Sequence, residues 1–455
     1  MWQLIFDKKE VQKPISTNHP TLTRILDCFY GRSVKFDIST LIDKCLITTN
    51  NDGSCDECLA MHDLLLEMAF NIVRAESDFP GGRSRLCHPP DVAKVLEENK
   101  GTQKIKGISL DTSELPRQIH LKSDAFAMMD GLRFLHFNHG VSSKKDKMQL
   151  PPTGLEYLPN ELRYLRWDRF PSKSLPPSFR AEHLVELHLH ESKLVKLWTG
   201  VKDVGNLRII DLSYSKYLTE LPDLSMAKKL QTSIKELPEP PPWLKILTTH
   251  DCASLKTVKS TINIGLKFDF RNCFKLDQKQ LIEAMHLKIQ SGEEIPDGGI
   301  QMVLPGSEIP EWFGDKGVGS SVTIQLPSNC HQLKGIAFCL VFLGPLPFHE
   351  VYYNCHVKCK NDKHDEFDDF FFWVDHNVLV SCDSYHKILH YKLKLGNHLR
   401  KYSGNEVTFN FRNLGLRKVC PDIRRPLELK SWGVYLHFDE NIPADKKFKR
   451  KFWEI

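Results

Sequence analysis

Cys55-x-x-Cys58-x-x-x-His62 is the first arrangement in the chain with the residue types for chemistry. Two thiolates and an imidazole at that spacing can share a zinc ion. A second ligand pair at finger spacing is missing, so the segment is read as a hairpin strand leading into a helix. His349, Cys355, His356, Cys359 and His364 make a second group. There Val351, Tyr353, Cys355, Val357 and Cys359 alternate along one strand face, which assigns both cysteines to a core. The acids Asp365, Glu366, Asp368 and Asp369 lack EF-hand spacing and are read as a solvated loop before Phe370-Phe371-Phe372-Trp373. No metal site is expected. The chain contains neither G-x-x-x-x-G-K-[ST] nor G-x-S-x-G, so it offers no phosphate cradle and no nucleophile elbow. No catalytic residue is assigned. What remains is His62 between Met61 and Asp63, at the head of an apolar-periodic stretch. A histidine donor beside a helix start suits an anion.

The elements around His62 follow from periodicity. Leu22, Ile25, Leu26 and Phe29 predict a helix that stops at Gly31, and Asp37 or Ser39 would cap the next, which buries Leu41 and Ile42. Strands are predicted over 45–49 and from about 55 to 61, joined through the turn Asn51-Asp52-Gly53. Asp63 would cap a helix with Leu65, Met68, Ile72 and Val73 on its apolar side. Helix, helix, hairpin, helix is a winged-helix arrangement. In the stretch after it, Asp91 would cap a short helix carrying Val92, Val95 and Leu96.

The longest organised stretch comes next. Leu162-x-x-Leu165-x-Trp167, Leu184-x-x-Leu187-x-Leu189 and Leu207-x-x-Ile210-x-Leu212 share one template, with starts 22 and 23 residues apart. Ser192 and Ser215 follow where this leucine-rich pattern usually has Asn. Units of this kind cannot bury their apolar faces alone. Stacked, they share a core and present a strand-lined concave surface. Ile105-x-x-Ile108-x-Leu110 and Leu132-x-x-Leu135-x-Phe137 fit as earlier units, with a polar insert from Gly140 to Gln149 read as a solvated loop. Because strand residues alternate sides, three columns should line the concave face. These hold Tyr164, Glu186 and Ile209, then Arg166, His188 and Asp211, then Arg169, Glu191 and Tyr214. Mixed charge with two tyrosines suits a protein partner. The register fails after Leu230, where Ser233 and Lys235 replace apolar residues, and resumes at Leu244-x-x-Leu247. Repeats are therefore expected to have been lost between Gln231 and Ser233, by deletion or by an erroneous gene model. Leu266-x-Phe268-x-Phe270 closes the array, and a helix from Asp277 to about Gln290 follows.

From Gln301 the texture changes to strands, expected over 301–304, 321–325, 335–342, 349–358, 378–382, 386–394, 406–411 and 430–438. Gly, Pro and Asp signals between them predict an antiparallel sandwich. Composition agrees with a multidomain globular chain. It has 455 residues, 41% hydrophobic, with 62 basic and 57 acidic residues. That balance does not call for nucleic acid. Thirteen cysteines without a framework spacing favour a reducing setting. The apolar run from Gly335 to Phe348 is too short and too broken by Gly344, Pro345 and Pro347 to span a bilayer.

Several of these segments carry a resemblance. "STLIDKCLI" followed by "MHDLLLEMAFNIV" resembles the winged helix of plant nucleotide-binding leucine-rich-repeat immune receptors of the Toll/interleukin-1-receptor-like class. Met61-His62-Asp63 matches that family's Met-His-Asp motif. "LPGSEIPEWF", "GSSVTIQLPSN" and "GIAFCLVF" resemble the jelly-roll/Ig-like domain (C-JID) that follows the family's repeats.

The resemblance implies a multidomain α+β chain. Its parts are a winged helix over 1–76, a linker over 77–104, a repeat solenoid over 105–275 shortened near 231–243, and a connecting helix and linker over 276–300. A jelly-roll/Ig-like domain over 301–445 and a basic tail over 446–455 complete it. It implies a truncated, non-enzymatic, cytoplasmic defence receptor, whose basic tail is read as a frayed charged terminus, with a nuclear or acidic-surface address as the alternative. Such a receptor recognises a pathogen effector protein or a sibling receptor through the concave face and the C-terminal loops. The family's motif histidine approaches the β-phosphate of ADP. Here His62, with Met61 and Asp63, is expected to be a remnant of that contact. No cofactor is expected in this chain, although the complete architecture uses ADP and ATP. The alternatives are a piece of a full receptor with nucleotide binding and an N-terminal NAD-hydrolysing activity, or a truncated product without function.

Overall fold

The computed structural model describes residues 17–18, 23, 26–27, 29–50, 58–139, 146–200, 202–222, 224, 244–258, 267–291, 295, 299–343, 350–358, 364–373, 384–414, 424–426 and 429–438. They fall into two compact units. One is built mainly from Met1–Ala284, the other from Met285–Met302, Gly306–Leu416 and Asp422–Ile455. The result is a mixed α/β chain dominated by sheet.

The first unit begins with a small helix–hairpin–helix block. Strands β1 (Thr17–Asn18), β2 (Ile47–Asn50) and β3 (Cys58–Met61) form an antiparallel sheet in the order β1-β3-β2. Helix α1 (Lys35–Asp43) buries Ile38 and packs Leu41 and Ile42 against Leu26, Val34, Ile47, Leu59 and Leu66. Neither Asp37 nor Ser39 caps it. Val34 holds that place, with its N–H bonded to Asp27 Oδ1 at 2.7 Å. The predicted turn at 51–53 lies outside the described residues.

Helix α2 (Asp63–Ala75) starts one residue earlier than expected, so His62 and not Asp63 is its N-cap. It buries Leu66 and Val73, while Leu64, Met68 and Ile72 are exposed. The expected inner side was therefore rotated, because the helix turns its Leu66–Val73 edge to the core. After β4 (Arg85–Leu86), helix α3 (Pro89–Glu97) buries Val92, Ala93, Val95 and Leu96. Its N-cap is His88, with prolines in the first turn where a missing N–H costs nothing. Asp91 instead receives Arg83 Nη1 at 2.8 Å.

The repeats follow as one parallel ladder. Strands β5 (Gly107–Asp111), β7 (Phe134–Asn138), β9 (Tyr164–Trp167), β10 (Glu186–His188), β11 (Ile209–Asp211), β13 (Ile246–Thr248) and β15 (Lys267–Asp269) pair in succession. Two side ladders flank it. One pairs β6 (Ile119–His120) with β8 (Met148–Gln149), so the end of the polar insert is structured. The other pairs β12 (Glu220–Leu221) with β14 (Thr257–Val258). Rung β11 bonds directly to β13, so the sheet is continuous where the sequence register fails. The Gln231–Ser233 junction itself lies outside the described residues. The template leucines Leu162, Leu165, Leu184, Leu187, Leu189, Leu207, Ile210 and Leu212 are all buried.

One column beneath the sheet shows how the repeats interlock. Ser192 Oγ and Ser215 Oγ are 2.7 Å apart, and Ser215 donates to the Leu189 carbonyl. In the next two rungs Cys252 Sγ donates to the Leu212 carbonyl and Cys273 Sγ to that of Thr249. Small donors thus satisfy carbonyls that the shared core shuts away from water. Earlier rungs use aromatics instead. Trp167 meets Phe126, Phe137 and Phe170 edge-on at 4.9–6.1 Å. Helix α4 (Lys279–Gln290) follows the last rung and buries Leu281, Met285 and Ile289.

In the second unit, after β16 (Ile300–Pro305), two antiparallel sheets face each other. One contains β17 (Asp315–Val318), β25 (Leu429–Phe438), β19 (Leu333–Leu343) and β22 (Tyr385–Lys392) in that order. The other contains β18 (Ser321–Gln325), β23 (Glu406–Leu414), β20 (Glu350–Lys358) and β21 (His364–Trp373), with β24 (Arg424–Pro426) on β23. Phe338 of the first sheet meets Phe409 and Phe411 of the second edge-on at 5.0 and 5.6 Å. Cys355 and Val357 are fully buried, in agreement with their alternation. The acid run at 365–369 was expected to be loop but lies in β21, paired with β20 along its length. β17 and β24 were not expected either. Residues 393–394, expected in a strand, open helix α5 (Leu393–Leu399). The 378–382 strand, Cys359 and the basic tail lie outside the described residues.

Candidate functional site

His62 has a structural task. Its Nδ1 accepts the Leu64 N–H at 3.2 Å, which satisfies one of the donors a helix start leaves open. The side chain is exposed, and so is Asp63. Cys55 lies outside the described residues. Among the described residues no group of three histidine, cysteine, aspartate or glutamate side chains could hold a metal.

The concave columns are those read from the sequence. Tyr164, Glu186 and Ile209 stand opposite one another, as do Arg166, His188 and Asp211. Their environment differs from the expectation. Tyr164 is 4% exposed and Glu186 1% exposed, so direct partner contact through these two is corrected. Tyr164 stacks on Phe134 at 4.8 Å and lies 5.5 Å from the His188 ring. Phe134 in turn meets Phe29 of the N-terminal block edge-on. Glu186 receives His188 Nε2 at 3.1 Å.

The second column is paired internally. Arg166 reaches Asp168 with two hydrogen bonds, Nε to Oδ1 at 3.1 Å and Nη2 to Oδ2 at 3.0 Å. Asp211 receives His190 Nε2 at 2.5 Å and Ser213 Oγ at 2.6 Å. Asp269 and Arg271 repeat the Arg166–Asp168 arrangement two rungs beyond Asp211. Asp168, His190, Ser213, His250 and Arg271 were missed in the sequence. They share one template position, directly after the last inward-facing residue of each strand motif, which is Trp167, Leu189, Leu212, Thr249 or Phe270.

Burial alone would push these carboxyls up, but their partners outweigh it. Asp168, Asp211 and Asp269 are all held below the ordinary carboxylate value by Arg166, His190 and Arg271 respectively. His190 is opposed by burial, yet Asp211 raises it above the ordinary value. His136 lies on the same face, with Nδ1 3.3 Å from Ser109 Oγ. Burial lowers it to about 3, and the Arg166 charge adds to that.

The third column is a rim of left-handed turns. Arg169, Glu191, Tyr214, Asp251 and Asn272 all have φ between 51° and 61°. Each of the first four donates its N–H across to the next repeat, to the carbonyls of His190, Ser213, His250 and Arg271, at 2.7–2.9 Å. That ladder accounts for a conformation that side chains otherwise avoid. Arg169 bonds Glu191 at 2.9 Å, and Asn272 bonds Asp251 at 2.8 Å. Tyr214 stands between these pairs, half-buried, with its ring edge-on to His250 at 4.8 Å. Glu191 is exposed.

Together these features define a leucine-rich-repeat ladder followed by a two-sheet domain. Comparison with known proteins agrees. Residues 183–202 match the Leucine Rich Repeat family and residues 304–442 match the C-JID domain. The chain is 41% identical over 213 residues to the disease resistance protein RPS6 of Arabidopsis thaliana, covering 45% of this chain and 18% of that protein. It is 36% identical over 196 residues to the disease resistance protein TAO1, covering 43% and 16%. To the disease resistance-like protein DSC1 it is 35% identical over 267 residues, covering 54% and 20%. The matched stretches thus span under a quarter of these relatives' length. The repeats and C-JID domain correspond to the C-terminal portion of Toll/interleukin-1-receptor-class nucleotide-binding leucine-rich-repeat disease-resistance receptors. No helix among the described residues is long and apolar enough to cross a membrane.

Proposed function

We propose that this chain serves plant immunity as a non-enzymatic recognition element that binds a pathogen effector or a sibling receptor. The observation that carries the reading is the rim, where exposed Glu191 and half-buried Arg169 and Tyr214 are fixed on a hydrogen-bonded ladder. A preorganised surface of this kind binds without the entropic cost of ordering loops. Arg166, His188 and Asp211 act one layer back, by setting the charge and shape of the face. The loops of the C-terminal β-domain, read as a jelly-roll, supply further contacts.

The helix–hairpin–helix block is read as a winged helix, and His62 with Met61 and Asp63 as the remnant of an ADP contact. A capping histidine cannot hold a diphosphate without a glycine cradle and a lysine. Calorimetric titration with ADP is expected to show no binding, and low-micromolar affinity would refute that part. The recognition reading is tested by pull-down with co-expressed full-length relatives. Enrichment that falls when Tyr214 and Glu191 become Ala supports it. No enrichment over a scrambled-surface control counts against it.

A further inference from the structure

We propose that the rim of the last three rungs docks an acidic, apolar segment of a partner protein. The proposal rests on the recognition reading above and gives it a place and a chemistry. In the sheet columns the polar groups are spent on one another. Past the left-handed turns the situation reverses. Between Ser215 and Thr219 come Lys216 and Tyr217, both exposed, with Tyr217 at 62%. The matching stretch after Cys273 carries Phe274, 57% exposed, and exposed Lys275. Between these two stretches, after Cys252, come only Ala253 and Ser254.

The three stretches are held in register at both ends. On one side the thiols of Cys252 and Cys273 bond the Leu212 and Thr249 carbonyls at 3.2 and 3.0 Å. On the other, the Lys256 N–H donates to the Thr219 carbonyl at 2.9 Å and the Asp277 N–H to the Lys256 carbonyl at 2.8 Å. Neighbouring rungs lie about 5 Å apart, so two aromatic–lysine pairs flank a low floor at roughly 10 Å. That is the reach of about three residues of extended chain. Among the described residues neither Lys216 nor Lys275 has an ion-pair partner. The rim acid between them, Asp251, is occupied by His250 Nδ1 and Asn272 Nδ2, each at 2.8 Å. The fitting occupant is an apolar side chain between Tyr217 and Phe274, with carboxylates on either side reaching the two lysines. Exposed aromatics are the residue type enriched at binding anchors, and the two lysines set the charge that a partner must complement.

The test uses the intact chain as bait for a random-peptide display library, then measures the enriched peptides by fluorescence anisotropy. The expected consensus is apolar residues flanked by Asp or Glu. Affinity should fall at least about tenfold in Y217A/F274A and again in K216E/K275E, and stay unchanged in R117A, a surface change elsewhere on the repeats. All are exposed positions, so folding should survive. If peptides enrich but both rim variants bind as well as the parent, the rim site is wrong and the recognition reading stands. A basic consensus, or a single-stranded oligonucleotide binding more tightly than any peptide, also overturns the rim site. If no peptide enriches, both fall.

Discussion

The concave columns and the turn rim are built on the same strands, yet they treat polar side chains in opposite ways. In the columns, Arg166–Asp168, His190–Asp211 and Arg271–Asp269 satisfy one another behind partial cover, and Tyr164 and Glu186 are closed off. Just past the turns of the rim, Lys216, Tyr217 and Phe274 face solvent on a backbone fixed by inter-repeat bonds. Paired and buried charge specifies how repeats stack, while exposed charge and aromatic surface remain for a partner. A residue's place in a repeat therefore says more about its role than its chemical type.

Changes in the closed region should cost most in stability. Trp167→Ala empties a site that is 1% exposed and ringed by Phe126, Phe137 and Phe170. A loss of about 3–5 kcal/mol is expected in denaturant unfolding. A loss under about 1 kcal/mol would mean that the early rungs are not packed as described. Asp269→Ala leaves the Arg271 guanidinium buried without its carboxylate, at a cost of about 3 kcal/mol. Removing both partners, as D269A with R271M, should recover most of that loss, which a double-mutant cycle would show.

The two histidines sharpen the comparison through pH. His190 is raised by Asp211, so its contribution is complete below the unfolded value near 6.5 and lost as pH rises through the folded value. His136 is lowered to about 3, so its contribution is present above about 6.5 and lost as pH falls toward 3. H190Q should accordingly flatten the decline of stability above neutral pH. H136Q should flatten the decline below pH 6. Unchanged stability–pH curves in both variants would contradict the assigned environments. At the small end, His62→Ala removes one cap bond from α2 and should cost about 0.5–1 kcal/mol. Tyr217→Ala should change stability by no more than about 0.5 kcal/mol.

Much of this was legible in the sequence because the repeat template fixes register. Once Leu165, Leu187 and Ile210 are aligned, Tyr164–Glu186–Ile209 and Arg166–His188–Asp211 must face each other, and they do. Cover was not legible, because Phe29 reaches Phe134 from another block and nothing local to Tyr164 signals that. Nor was the second polar column, since pairing of Asp168 with Arg166 two residues earlier looks like ordinary alternation. Asp63 has the residue type that commonly caps a helix. The helix begins one residue sooner, and His62 Nδ1 takes the role. In β21 the acids read as loop, but pairing with β20 on one side outweighs their low strand preference.

The most direct test needs no partner. Limited tyrosine nitration of the native chain, followed residue by residue with mass spectrometry, compares the two regions in one sample. Tyr217 on the rim should react quickly and Tyr214 more slowly. Tyr164, shut between Phe134 and His188, should be protected until the chain unfolds. If Tyr164 reacts as fast as Tyr217 under native conditions, the columns are open, and the division between a closed face and an exposed rim is wrong.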